Sequence, residues 1–90
     1  MRIQSSGKFD KSYRKADDTI KVAVEGRLRL FVQDPFYPQL NNHSLKGKYR
    51  NYRSINITGD WRALYTEQVS EDGKKIIIFE LLGTHSMLYK

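Results

Sequence analysis

The fold is decided by two apolar segments and the turn between them: Asp60-Trp61-Arg62-Ala63-Leu64-Tyr65-Thr66-Glu67-Gln68, Glu71-Asp72-Gly73-Lys74 and Lys75-Ile76-Ile77-Ile78-Phe79-Glu80-Leu81-Leu82. The first segment alternates like a strand, which puts Arg62 on the face opposite Trp61. Its Asp-Gly pair is a strong hairpin signal, and the run of three isoleucines and a phenylalanine can be buried on both faces. The sequence therefore predicts an antiparallel hairpin that belongs to a meander covered by helices.

A third strand is predicted before this hairpin, over Tyr49–Ile57, with a turn at Thr58-Gly59. Residues 35–48 contain two prolines, two asparagines and Gly47, so we expect an irregular connection there. Met1–Gln4 is a possible further strand. Together these segments predict a meander of short strands in the second half of the chain.

The first half is predicted to be helical. Ser5 or Ser6 is a suitable N-cap for a first helix, and Asp17 or Asp18 for a longer one that ends before Asp34-Pro35. Apolar residues recur at helical spacing in both segments. We therefore predict an α+β fold with an antiparallel sheet of about four strands and two N-terminal helices packed on one face, forming one domain over residues 1–90.

Composition narrows the class of protein. The 90 residues include no cysteine, which excludes disulfides and thiolate metal sites and favours an intracellular protein. No apolar run approaches the ~20 residues that span a bilayer. We expect a soluble, cytoplasmic protein with no membrane association.

The net charge of +6 is concentrated between residues 43 and 62. Cations there can neutralise phosphates, and interleaved aromatic rings can stack on unpaired bases. The alternative is a solvated basic face with core aromatics. The RNA-binding candidates are Lys46, Lys48, Arg50, Arg53 and Trp61.

The closing stretch Gly83-Thr84-His85-Ser86-Met87-Leu88-Tyr89-Lys90 combines reactive and apolar groups. We interpret it as half of an active site, in which the Met87-Leu88 pair docks the segment. The alternative is a tail that only closes the core.

Several kinds of site are absent from the sequence. It has no phosphate-binding glycine loop and no nucleophile elbow, and its two histidines lie far apart, so we predict no metal and no cofactor. The remaining candidates suit RNA cleavage, because RNA supplies its own 2′-hydroxyl nucleophile and needs only acid, base and cation. These catalytic candidates are His43, Asp60, Arg62, His85 and Tyr89.

Each of these candidates also has a structural explanation. His43 could be an ordinary loop histidine, and Asp60 a turn or cap residue. Trp61 could be a core aromatic and Tyr89 an anchor for the tail.

Three segments together resemble toxins of the RelE superfamily, in its YafQ-like and RelE/StbE branch. They are Tyr52-Arg53-Ser54-Ile55-Asn56-Ile57-Thr58-Gly59-Asp60-Trp61-Arg62-Ala63-Leu64-Tyr65, Gly83–Tyr89 and His43-Ser44-Leu45-Lys46-Gly47. The resemblance implies a microbial RNase-like fold. It also implies a bacterial type II toxin that cleaves mRNA on the ribosome and is held in check by a cognate antitoxin.

The resemblance carries over to some residues and not to others. In YafQ-like toxins, groups matching His43, Asp60 and His85 are implicated in acid-base chemistry, and aromatics matching Trp61 and Tyr89 line the site. Four positions distinguish this chain from one branch or the other. Asn56 and Leu81 replace a histidine and an arginine of the YafQ branch, Ile55 replaces a lysine of RelE, and Arg62 matches a catalytic arginine of RelE. We therefore expect Arg62 to supply the transition-state charge.

The function predicted from the resemblance is that of a metal-independent mRNA endoribonuclease acting in the ribosomal A site by 2′-hydroxyl attack. His85 is the first candidate for proton transfer, His43 and Asp60 are candidates for the opposite role, and the sequence does not say which group is the base and which is the acid. Two alternatives remain open. One is a ParE-like gyrase poison of the same fold, and the other is a non-catalytic RNA- or ribosome-binding module.

Overall fold

A computed structural model describes residues 1–89, so Lys90 of the predicted tail lies outside the described residues. None of the helices in this range is both long and apolar enough to cross a membrane. Short 3-10 turns cover Pro38–Leu40 and Gly47–Tyr49. The main elements, in chain order, are β1 (Arg2–Ser5), α1 (Gly7–Lys15), α2 (Asp18–Gln33), β2 (His43–Ser44), β3 (Arg53–Asn56), β4 (Trp61–Val69), β5 (Lys75–Thr84) and α3 (His85–Leu88).

The five strands form one sheet in the order β1-β5-β4-β3-β2. The prediction of an α+β fold is confirmed, but the sheet is mixed rather than antiparallel, because β1 runs parallel to β5. No tight turn joins these two strands: the chain leaves β1 into the helices, so a parallel pairing is accessible. The additional strand, β2, has only two residues and lies in the segment predicted to be irregular.

Two strand boundaries also differ from the prediction. The strand expected from Tyr49 begins only at Arg53, because the chain first makes the 3-10 turn, with Gly47 at a φ of +66°. The last strand continues two residues beyond Leu82, to Thr84. The hairpin between β4 and β5 lies where Asp72-Gly73 predicts it, with Gly73 at a φ of +82°.

Both helices begin at predicted caps. The Ser6 hydroxyl accepts the amide N–H of Phe9 at 3.0 Å, and the Asp17 carboxylate accepts that of Ile20 at 3.0 Å. Each such cap contributes about 1 kcal/mol to helix stability. The second helix ends at Gln33, immediately before the predicted Asp34-Pro35 stop.

The two long helices, α1 and α2, pack on one face of the sheet. Phe31 of α2 lies edge-on to Tyr65 of β4 and Phe79 of β5, with ring centroids 5.1 and 5.3 Å apart. A bulge at Glu80 shifts the β4–β5 register, so Phe79 and Leu82 are both buried although three positions separate them. The core therefore occupies the helical side, and β3 and β4 present their other side chains to the opposite face.

Candidate functional site

A cleft of about 340 Å³ opens on the sheet face opposite α1 and α2. Strand alternation puts Ser54 and Arg62 on this face, since Ile55 and Ala63 beside them belong to the core. This site is called the cleft below. The residues that line it are Asn41, His43, Leu45, Ser54, Arg62, His85 and Tyr89. The structure thus brings together four of the five predicted catalytic residues and leaves Asp60 outside.

The strand register explains why residues distant in sequence meet. His43 of β2 is the direct neighbour of Ser54 of β3. Arg62 of β4 lies between Asn56 of β3 and Gly83 of β5. Because β5 runs directly into α3, the ladder that positions Arg62 also delivers His85 to the same end of the sheet.

Arg62 is held by the backbone of the turn that precedes it. Its Nη1 donates to the carbonyl oxygens of Thr58 at 2.9 Å, Gly59 at 3.1 Å and Trp61 at 3.0 Å. Within residues 1–89, no hydrogen bond is made by its Nε or Nη2. One side of the guanidinium is thus fixed, and the other nitrogens can meet an anion in the cleft.

His43 is exposed at the rim, and its ring is oriented by a backbone contact. Nδ1 lies 2.8 Å from the carbonyl oxygen of Asn41. A carbonyl can only accept, so this contact requires the proton on Nδ1. In the neutral ring Nε2 then carries no proton and can accept one.

His85 and Tyr89 stand at the start and end of α3. The amide N–H of His85 donates to the Asp60 carbonyl at 2.9 Å, and the Thr84 hydroxyl caps the helix by accepting the Met87 amide at 3.2 Å. The rings of His85 and Tyr89 are 4.7 Å apart at 52°. The two side chains therefore form one tilted aromatic pair at the side of the cleft.

Leu88, rather than the whole Met87-Leu88 pair, docks this helix. Leu88 is 8% exposed, whereas Met87 is 56% exposed. The Tyr49 hydroxyl donates to the Leu88 carbonyl at 2.7 Å, and its ring meets that of Tyr89 edge-on at 5.7 Å. The predicted docking by Met87 is wrong, because the one-turn helix buries only the side chain of Leu88, which lies over Gly83 of β5.

Asp60 and Trp61 contribute backbone rather than side-chain groups near the cleft. Asp60 is exposed in the turn, and its carbonyl oxygen holds the His85 amide. Trp61 is half-buried against the core, on the face opposite Arg62 as the alternation predicts. Neither side chain lines the cleft.

The basic candidates fall into two groups. Lys46, Lys48 and Arg50 are exposed between β2 and β3, with the Lys48 ammonium 5.2 Å from the ring centre of Tyr49. Arg53 instead points to the other face of β3, where its Nε donates to Asn42 Oδ1 at 2.8 Å and its guanidinium lies 5.4 Å from the ring centre of Phe36. Arg53 therefore takes part in packing the connection before β2.

Sequence reasoning did not single out Asn41, Leu45 or Ser54. Ser54 is 1% exposed, and its hydroxyl has no hydrogen-bond partner among the described residues. The only sequence signal was a small polar residue between Arg53 and Ile55 in a predicted strand. Asn56 Oδ1, on the same face, is likewise buried without a partner in that range.

A further observation concerns metal ions. Among residues 1–89, the structure contains no group of three or more His, Cys, Asp or Glu side chains placed to hold a metal.

Comparison with solved structures identifies the fold. YafQ from Escherichia coli strain BL21(DE3) is 23% identical, with a TM-score of 0.74 over 100% of both chains. A chain of the E. coli DinJ-YafQ complex is 25% identical, with a TM-score of 0.67 over 100% of both chains. A YoeB/ParE toxin from Agrobacterium tumefaciens is 19% identical, with a TM-score of 0.73 over 94% of this chain and 99% of that one.

Sequence comparison gives the family. No curated protein sequence matches the chain significantly. The profile of a family described as a bacterial toxin of type II toxin-antitoxin system, YafQ, matches residues 1–90. The chain therefore belongs to the YafQ family of type II toxins.

Proposed function

We propose that this chain is a ribosome-dependent, metal-independent mRNA endoribonuclease, acting in the cytoplasm as the toxin of a type II pair. The observation that carries the proposal is the meeting of His43, Arg62, His85 and Tyr89 around one cleft. Two imidazoles can supply the acid and the base that RNA transesterification needs, a permanent cation can stabilise the phosphate charge, and an aromatic ring can stack on a base.

His43 and His85 divide the proton transfers in this proposal. His43 Nε2 takes the proton of the ribose 2′-hydroxyl, because Nδ1 is committed to the Asn41 carbonyl. The 2′-oxygen then attacks phosphorus, and the bond from phosphorus to the 5′-oxygen breaks. His85 donates a proton to the departing 5′-oxygen. The products are a 2′,3′-cyclic phosphate and a 5′-hydroxyl end.

Arg62 stabilises the charge that develops on the phosphate. Its free Nε and Nη2 form a fork that suits two phosphate oxygens. Leu81, which stands where the YafQ branch has an arginine, brings no charge, so Arg62 is the cation of this site. Tyr89 packs against a nucleotide base or ribose. The Asp60 carboxylate takes no proton in this scheme, because only its carbonyl reaches the site.

The exposed Lys46, Lys48 and Arg50 bind the backbone of messenger or ribosomal RNA in this proposal. Contacts of this kind raise affinity for any RNA and carry little sequence information. They lie in the segment that connects β2, at the cleft, to β3.

A cognate antitoxin is the protein partner we propose. E. coli YafQ was crystallised in a complex with DinJ, and this chain matches the toxin of that complex over its whole length. An acidic and apolar helix that orders on binding would suit the basic surface here and would block access to the cleft.

The proposal is tested by translating a defined mRNA in a reconstituted system with wild-type protein, His85→Ala and Arg62→Ala. Each variant is expected to slow cleavage by about 10²-fold or more. Arg14→Ala, on the exposed side of α1, is the matched control and should cleave like the wild type.

If the mRNA stays intact with the wild-type protein, the proposal of nuclease activity is overturned. Gyrase supercoiling measured with the same preparation identifies the replacement. Inhibition of supercoiling without RNA cleavage would establish a gyrase poison. Ribosome binding with neither effect would establish a non-catalytic binding module.

A further inference from the structure

Thr58 closes the turn that precedes β4. Its hydroxyl oxygen accepts the amide N–H of Asp60 at 3.3 Å and that of Trp61 at 3.0 Å. The turn is further closed by the Trp61 carbonyl, which accepts the amides of Ile57 at 2.9 Å and Thr58 at 3.3 Å. A single side chain thus fixes the direction of successive peptide groups in the turn between β3 and β4.

The carbonyl groups of this turn hold two parts of the cleft. Those of Thr58, Gly59 and Trp61 accept from Arg62 Nη1, and that of Asp60 accepts the His85 amide. All four carbonyls belong to residues 58–61. The directions of the three carbonyls that accept from Arg62 depend on the turn that the Thr58 hydroxyl closes, so a change in the turn would move the guanidinium.

We propose that Thr58 is a positioning residue for the cleavage reaction, acting on phosphate through the Arg62 guanidinium. The inference rests on the proposed nuclease function for its kinetic consequence, although its structural part stands alone. Thr58 does not line the cleft. Instead, Thr58 determines the position of the Arg62 guanidinium before the phosphate binds.

The physical reason is preorganisation. A free arginine side chain samples many rotamers, and fixing it during the reaction would add to the barrier. Here one guanidinium nitrogen already has three acceptors, and the opposite edge is left for phosphate. Removal of the Thr58 hydroxyl leaves the amides of Asp60 and Trp61 without their acceptor, so the turn relaxes. The three carbonyls then no longer all point at Arg62 Nη1.

The kinetic test compares Thr58→Val, which keeps the side-chain shape, with Thr58→Ser, which keeps the hydroxyl. Single-turnover cleavage of ribosome-bound mRNA is expected to slow about tenfold in Thr58→Val and less than about twofold in Thr58→Ser. Ribosome affinity should stay the same in both. Thr66→Val is the matched control and should cleave at the wild-type rate, because it removes a β4 hydroxyl whose only hydrogen-bond partner among residues 1–89 is Glu80.

A double-mutant cycle separates positioning from general loss of structure. If Thr58 acts through Arg62, adding Thr58→Val to Arg62→Ala should slow cleavage by less than about twofold. The same tenfold effect in both backgrounds would overturn the proposal. Wild-type kinetics for Thr58→Val alone would also overturn it.

A nuclear magnetic resonance measurement keeps the inference testable if the protein cuts no RNA. The heteronuclear Overhauser effect of the Arg62 Nε–Hε group should match that of the rigid backbone in the wild type and in Thr58→Ser. In Thr58→Val it should fall to the value of the exposed Arg14. An unchanged Arg62 signal in Thr58→Val would contradict the proposal whatever the outcome for nuclease activity.

Discussion

Ser54 is the residue whose environment is hardest to explain by stability alone. Its hydroxyl is buried, lines the cleft and has no hydrogen-bond partner within residues 1–89. A buried polar group without a partner costs folding about 1–3 kcal/mol. The cost is understandable if the hydroxyl bonds to RNA once the substrate enters.

This explanation predicts opposite effects on stability and activity. Ser54→Ala should raise the free energy of unfolding by about 1 kcal/mol, because it removes the unpaired group. The same change should lower kcat/KM for mRNA cleavage about tenfold. Urea unfolding and single-turnover cleavage measure the two quantities. A stabilised variant with wild-type cleavage would show that RNA does not use the hydroxyl.

At this scale, the sequence was informative about residue types and less so about their roles. Arg62 and His85 could be singled out because their side chains are scarce or charged in an apolar context. The orientation of His43 could not, because it depends on a carbonyl of Asn41 in a left-handed conformation, with a φ of +46°. The use of Asp60 through its carbonyl was equally hidden, since side-chain chemistry says nothing about backbone direction.

Among the elements, α3 depends on a close approach to β5. A Cβ atom added at Gly83 would lie 3.4 Å from side-chain atoms of Met87 and Leu88, which is ordinary contact. A single methyl group therefore fits at this position. A valine adds two further methyl groups at a position whose Cβ would already touch Met87 and Leu88, so we expect it to push α3, with His85 and Tyr89, away from the sheet.

Gly83→Val is accordingly expected to slow mRNA cleavage by about 10-fold or more, whereas Gly83→Ala should stay within about threefold of the wild type. The comparison uses single-turnover rates, with circular dichroism as a control for folding. Equal rates for the two variants would mean that the packing of α3 on Gly83 does not position the catalytic groups.

The connection before β2 is held to β4 by a polar contact inside the core. Asn42 Nδ2 lies 2.7 Å from the Tyr65 hydroxyl and 2.9 Å from the Pro35 carbonyl. Burial raises the pKa of Tyr65 above its ordinary value. In the unfolded chain this group ionises near pH 10, while the folded protein keeps it neutral. The neutral Tyr65 hydroxyl therefore contributes fully to the free energy of unfolding below about pH 10, and this contribution is lost as the pH rises further.

Tyr65→Phe isolates that contribution. At neutral pH the variant should lose about 1 kcal/mol of unfolding free energy with the hydrogen bond. Above about pH 10, the wild type should lose stability more steeply than the variant, because phenylalanine cannot ionise. Urea titrations across this range measure both slopes. Parallel slopes would mean that Tyr65 ionises alike in the folded and unfolded chains.

The elements that could be predicted are those with local signals. The caps at Ser6 and Asp17 and the Asp72-Gly73 turn are specified by a few adjacent residues, and each was found where expected. The parallel pairing of β1 and the two-residue β2 depend on partners far along the chain. Local periodicity contains no information about them.

For the whole molecule, charge is the property that connects fold and partners. The net charge of +6 includes the exposed Lys46, Lys48 and Arg50 between β2 and β3. Changing all three to alanine should weaken RNA and ribosome binding for any mRNA. The slope of log affinity against log salt concentration should become shallower by about 0.7 for each phosphate that is no longer neutralised. Binding measured at several salt concentrations gives both numbers, and weakening confined to particular codons would show that these cations read sequence.

The chemistry of the newly formed RNA ends tests the central claim most directly. Wild-type protein and ribosomes translating a defined mRNA should give fragments with a 2′,3′-cyclic phosphate on one side of each cut and a 5′-hydroxyl on the other. Primer extension should place the cuts at codon spacing, and in Arg62→Ala they should form about 10²-fold more slowly. Fragments with 5′-phosphate ends, or cuts that form at the wild-type rate in Arg62→Ala, would contradict this account of the cleft.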